Sequence, residues 1–173
     1  MSSRPASIGG LMSLIPPETR ALVGQRLGEP TSATIHAHEA ERFAYAAGDS
    51  NPIYLDDAAA RAAGYRARVV PPGFLVWAFE PPRPLTALRE DGLWRDAGPP
   101  LRLHVSRVLY GGEEWEYRAP VYAGDSITAE TRLASLEEKS GSSGPFVLMA
   151  TETTYTNQAG EIVAIARGRR IVR

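Results

Sequence analysis

The chain contains no cysteine. Disulfides, thiolate zinc sites and a cysteine nucleophile are thereby excluded. Neither sign of charge predominates, since 19 Lys and Arg against 20 Asp and Glu leave a formal net charge of −1. That balance gives no electrostatic footprint for nucleic acid or for an anionic membrane surface. No apolar run is long enough to span a bilayer, and the opening stretch MSSRPASIGGLMSLIPPETR lacks the unbroken apolar core of a signal peptide. The expected location is the cytoplasm, with neither nucleic acid nor membrane as partner. Histidine is scarce as well, at three residues. His36 and His38 stand two apart with no third ligand of suitable type nearby, so no metal site is expected.

What is present is the composition of a globular protein, 43% hydrophobic and 23% charged over 173 residues. That length suits one domain with a core that needs no metal or disulfide. Residues 1–16 read as a mobile tail of small residues and residues 17–173 as a single domain. No internal repeat or low-complexity block interrupts it.

Pro16-Pro17 opens a short helix, PETRALVGQ, with proline where a missing N–H costs little. TSATIHA is β-branched and reads as a strand. In HEAERFAYAAGD, Ala40, Phe43, Ala44 and Ala47 fall on one helical face, and Gly48 is a helix stop. Asp56 caps a further small helix, DAAARAAG, that ends at Gly64. PPGFLVWAFEPP predicts an apolar helix over about 72–80, and a helix apolar all round is a buried one. A connector over 81–100, with a short apolar helix at 85–90, leads to a different pattern. LRLHVSRVLY, EWEYRAPVY, SITAETRLASLEE, PFVLMATETTYTN and EIVAIARGRRIVR read as strands, separated by turns at Gly111-Gly112, Gly124-Asp125, SGSSG and NQAG. Ile127, Ala129, Thr131 and Leu133 alternate clearly. One buried helix followed by four or five antiparallel strands defines an α+β arrangement, a sheet wrapped on a central helix.

With that arrangement and AAGDSNPIYLDDAAARAAGYRARVVPPGFL in view, the chain resembles the MaoC-like hydratases and dehydratases with a hot-dog fold. More closely, it is similar to their FAS1-like dehydratase branch, from about residue 18 to the end; YRAPVYAGDSI looks like that branch's turn between two sheet strands. The resemblance implies an acyl-thioester hydratase or dehydratase, with the substrate carried on coenzyme A or an acyl carrier protein and no further cofactor. In catalytic members the Asp of this loop and a following His hold one water. The Asp position matches Asp49 and the neighbouring Asn position matches Asn51, while the His position falls on Tyr54. The helix start at Pro72, Gly73 and Phe74 is where the resemblance places the oxyanion hole and substrate contact.

The residues admit these roles chemically. Hydration of an enoyl thioester needs a base for water, an acid for Cα and donors for the enolate oxygen. Asp49 either takes the proton, if burial raises its pKa, or caps the turn after Gly48. Tyr54, with an ordinary phenol pKa of about 10, donates a hydrogen bond or simply fills the His-shaped space. Asn51 holds Asp49 or the thioester, or serves as the turn residue before Pro52. Gly73 gives a backbone N–H at a helix start and close approach for a carbonyl, or only tight packing. His104, on the first long strand, either enters the cleft or is a satisfied strand histidine. Glu113, Glu114 and Glu116 read as a charged hairpin shoulder, and Arg167, Arg169 and Arg170 as a solvated face. Three functions follow: a hydro-lyase with a modified site, an acyl-binding subunit paired with a second hot-dog chain that brings the Asp/His dyad, or a hot-dog thioesterase. In each case a homodimer or heterodimer is expected, because a lone sheet leaves edges unpaired.

Overall fold

Apolar and β-branched alternation draws the second half of the chain into a sheet. The computed structural model describes residues 13–90, 92–94 and 101–173. A short strand β1 (Thr31–Thr34) is followed by four long ones: β2 (Val108–Tyr117), β3 (Ser126–Gly141), β4 (Gly144–Thr156) and β5 (Ile162–Val172). They lie in the order β1-β3-β4-β5-β2. Every pairing is antiparallel. The turns at Gly124-Asp125, Ser142-Ser143 and Asn157–Gly160 stand where their residues predict them.

Among the described residues five α-helices and one 3-10 turn (Leu85–Ala87) precede the long strands: α1 (Pro17–Arg20), α2 (Ala37–Ala47), α3 (Pro52–Leu55), α4 (Asp57–Ala62) and α5 (Phe74–Phe79). The inner face of the sheet packs on α5, whose Phe79 stands edge-on to Tyr155 of β4 with ring centroids 5.3 Å apart. Phe74 and Leu75 are buried there beside Ile35, Ile127 and Val121. This is the α+β hot-dog arrangement expected from the sequence.

The details depart from expectation in instructive ways. The central helix is six residues long, not the 72–80 predicted, because Pro72 and Gly73 precede it and Glu80 leaves the helical region before Pro81-Pro82. It is also not buried all round: Val76 is 50% exposed and Trp77 60%. The first long strand begins at Val108, so residues 101–107 and His104 lie outside it. Gly111-Gly112 makes no turn; it is an irregularity inside β2, where the register against β5 shifts between Tyr110 and Glu113. The first helix stops after one turn. Ile15, inside the segment read from sequence as a tail over residues 1–16, is 1% exposed and packs in the cluster of Leu133 and Val147; residues 1–12 lie outside the described residues.

Two apolar clusters result. One surrounds α5, and the other gathers Ile15 and Leu101 against Leu133, Val147, Met149 and Val172. Between them the inner face is polar.

Candidate functional site

The loop after α2 is built from consecutive side-chain caps. Gly48 takes a left-handed conformation (φ 69°) and ends the helix. The Asp49 N–H then reaches back to the Ala44 carbonyl at 3.0 Å, closing a Schellman-type turn. Asp49 Oδ1 accepts from the Asn51 N–H at 3.2 Å. Asn51 Oδ1 in turn accepts from the Ile53 N–H at 3.2 Å and caps α3, with Pro52 in its first turn. Asp56 caps α4 through the Ala59 N–H at 2.7 Å. Asp49 and Asn51 thus perform the structural half of each role the sequence allowed them. Both are exposed in the single chain.

Beside this loop runs a cleft of about 320 Å3, lined by Tyr54, Tyr65, Val70, Pro72, Tyr117 and Ala119 among others. Its far wall is the segment after β2, held by the Val70 N–H to the Val121 carbonyl at 2.9 Å. Asp125 braces that wall from beneath. It is 3% exposed, receives Arg66 at 2.7 Å and the Tyr122 N–H at 2.9 Å, and takes the Gln158 amide at 3.0 Å. Arg66 also lies over the Tyr122 ring at 4.1 Å.

Of the sequence-predicted residues, Tyr54 and Pro72 line the cleft, while Asp49 and Asn51 stand on its shoulder outside the lining. Phe74 is fully buried in the core, against Phe43 at 5.6 Å between ring centroids. Burial raises the Tyr54 pKa, and the nearby Asp49 and Tyr65 charges raise it further. Tyr54 therefore holds its proton at neutral pH, which makes it a donor and not a base. Gly73, at φ 87°, directs its N–H to the Tyr117 hydroxyl at 2.8 Å. The N–H singled out for a substrate oxyanion thus already has a partner. Burial raises the Tyr117 pKa, opposed by this Gly73 bond, with the Glu113 charge raising it again. Among the described residues the Tyr117 hydroxyl has no other hydrogen-bond partner.

Sequence reasoning passed over Tyr117, Tyr65 and Arg118. The signal was available: YRAPVY breaks a strand with Ala-Pro next to a Tyr and an Arg, which is where a strand end meets a cleft. His104 does not reach the cleft. Its N–H bonds the Leu14 carbonyl at 3.0 Å and its Nδ1 pairs with the Ser13 carbonyl at 2.9 Å. Among the described residues no three His, Asp or Glu side chains gather around one point. Arg167 is not simply solvated: it bonds Glu152 and Glu116 and lies 3.7 Å from Glu114. Glu114 and Glu116 are therefore one side of a cross-strand charge ladder on β2, while Glu113 lies against Gly168 with the inner-face residues Thr151 and Thr153.

A hot-dog sheet on a short helix, with a Gly-Asp-x-Asn-Pro loop beside a cleft at the helix start, defines the class of MaoC-like hydratase and dehydratase domains. The chain belongs to the family described as FAS1-like, dehydratase domain region, which it matches over residues 21–166. It is 32% identical over 148 residues to a UPF0336 protein of Parafrankia sp. (strain EAN1pec), covering 86% of this chain and 89% of that one. It is 30% identical over 167 residues to a probable enoyl-CoA hydratase alpha subunit of Thermomonospora curvata, covering 87% of this chain and 49% of the relative. The chain thus corresponds to about half of that second protein. The crystal structure of the ChsH1-ChsH2 complex from Mycobacterium tuberculosis shares the fold, with a TM-score of 0.63 and 22% identity over 83% of this chain and 82% of that one.

Proposed function

We propose that the chain is the acyl-thioester-receiving subunit of a hydro-lyase that hydrates enoyl thioesters or dehydrates 3-hydroxyacyl thioesters, and that a second hot-dog chain supplies the Asp/His dyad. The observation that carries this reading is the bond from Gly73 N–H to the Tyr117 hydroxyl, set beside a protonated Tyr54 where the dyad needs a base. Asp49 has no imidazole next to it, so one carboxylate would have to serve as base and acid in turn. Binding needs less. The cleft offers apolar walls at Val70, Leu75 and Val121 for an acyl group. The Tyr117 hydroxyl donates to a thioester carbonyl, and Arg118 in the lining, its Nε held by Glu116 at 2.9 Å, has its remaining guanidinium N–H groups for coenzyme A or carrier phosphates. Exposed Trp77 and Val76 on α5, with the unpaired edge of β2, leave surface that a second hot-dog chain covers. The relatives support the same reading: one is described as an alpha subunit, and one solved neighbour is a complex.

Calorimetry with butyryl-CoA and decanoyl-CoA tests it. Both bind the intact chain, free coenzyme A binds less tightly, and Ala119→Trp, which fills the cleft, weakens acyl-CoA binding by at least about tenfold. Absence of binding, or binding indifferent to Ala119→Trp, contradicts the proposal.

A further inference from the structure

Among the described residues the free edges of the sheet lie on β1 and β2. β1 is four residues long and β2 is ten, so β2 offers the longer row of unpaired N–H and C=O groups. Only part of that row suits a neighbouring strand. The register against β5 shifts between Tyr110 and Glu113. Gly111 runs so close to β5 that a Cβ on it would stand 3.0 Å from the Arg169 carbonyl oxygen. An irregularity of this kind bends a strand and interrupts its ladder, which leaves residues 113–117 as the regular stretch. Past Tyr117 the chain soon reaches Pro120, which has no N–H to give.

The regular stretch is acidic, with Glu113, Glu114 and Glu116 all on it. Glu114 and Glu116 share the outer face with Arg167 of β5, which also serves Glu152 of β4, while Arg118 adds a second cation at Glu116. Three carboxylates thus meet two guanidinium groups. Glu114 is the least neutralised, 67% exposed with Arg167 at 3.7 Å.

A second copy of the chain would meet this edge about a two-fold axis. Residues directly opposite in an antiparallel pair share a face, with Cβ atoms about 5 Å apart. An axis through Glu113, Glu114 or Glu116 sets that carboxylate against its own copy. An axis through Trp115 sets Glu114 against Glu116 twice. An axis through Tyr117 would bring Glu116 to Arg118, but it would also put Glu114 opposite Pro120, where the ladder ends. Like charges directly opposite destabilise a strand pair. Every register centred on residues 113–116 therefore works against a self-pair.

We infer that the β2 edge is an interaction surface for a different chain, one whose edge strand sets Lys or Arg opposite Glu114 and Glu116, and that it rejects a second copy of this chain. The inference rests on the two-chain reading above and adds the charge that the second chain carries. Backbone pairing supplies the contact, and the carboxylates choose the partner by repelling the wrong one.

Sedimentation of the full chain at micromolar concentration tests it. The native chain runs at its own mass of 18.7 kDa. Glu114→Lys/Glu116→Lys, which sets lysine against lysine, also runs alone as a monomer. An equal mixture of the two runs at twice that mass, because lysine then faces glutamate. Salt at about 1 M, where the Debye length is about 3 Å, dissociates the mixed pair. Glu114→Lys, which disturbs only the 3.7 Å contact, is the second test should the double variant not fold. It self-associates, since an axis through Trp115 now opposes lysine and Glu116 on both sides. Dimerisation of the native chain alone overturns the inference, and so does a monomeric mixture together with a monomeric Glu114→Lys. The acyl-thioester reading is judged apart from this: a native homodimer that binds butyryl-CoA without hydrating crotonyl-CoA leaves it standing.

Discussion

The backbone N–H of Gly73 and the hydroxyl of Tyr117, 44 residues apart in sequence, meet at 2.8 Å. The bond ties the start of the central helix to the end of β2. It also occupies the donor on which an oxyanion would otherwise rest. In the function proposed above, the thioester carbonyl is polarised through the Tyr117 proton instead.

Tyr117→Phe follows directly. Loss of this bond costs about 1 kcal/mol, or a Tm lower by about 2–4 °C in a domain of this size. The same substitution weakens butyryl-CoA binding about tenfold, since the carbonyl loses its donor. Unchanged Tm and affinity would show that the Tyr117 hydroxyl neither braces the helix start nor faces the ligand.

Asp125 is the buried brace of the cleft wall. Asp125→Ala leaves the Tyr122 N–H and the Gln158 amide unpaired and lowers stability by about 3 kcal/mol. Arg66 has 62% of its side chain exposed, so Arg66→Ala costs no more than about 1 kcal/mol. Urea denaturation of the two variants should separate them clearly. Equal losses would mean that the ion pair, and not the backbone bond, supports the wall.

Tyr155 gives a pH signature. Burial, with the Glu113 and Tyr117 charges, moves its pKa from 10.0 up to about 12. A folded pKa above the unfolded one means that its contribution to stability is complete below pH 10 and is lost as pH rises through about 12. Stability measured across that window should fall more steeply in the native chain than in Tyr155→Phe. Parallel curves would show that the phenol ionises as readily folded as unfolded.

The fold was legible in the sequence wherever local chemistry decides alone. Alternation at Ile127 to Leu133 fixed the face of β3, and Gly48 and Asp56 marked a helix end and a helix start correctly. Gly111-Gly112 misled because a glycine pair can signal a turn or a strand irregularity, and only pairing with β5 chooses between them. The apolar helix misled for a related reason: FLVWAF is apolar on every side, but a sheet covers one side, and Trp77 remains exposed.

The site was half legible. The loop around Asp49, Asn51 and Tyr54 is local, and its caps could be foreseen from Gly48, Asn51 and Pro52. Tyr117 is brought to the cleft by the register of β2 against β5, which no local pattern specifies. His104 shows the converse. It sat in an apparent strand, but its ring is engaged by Ser13, a contact set by the docking of the segment around Ser13 and Leu14.

The central claim is that this chain receives the acyl thioester without itself moving water. Hydration of crotonyl-CoA and a longer enoyl-CoA by the purified chain, followed by loss of enoyl-thioester absorbance with Asp49→Asn in parallel, tests it most directly. The account predicts no turnover above buffer while the same preparation binds acyl-CoA in calorimetry. Turnover that disappears in Asp49→Asn would contradict it, and would make Asp49 a working base without a histidine.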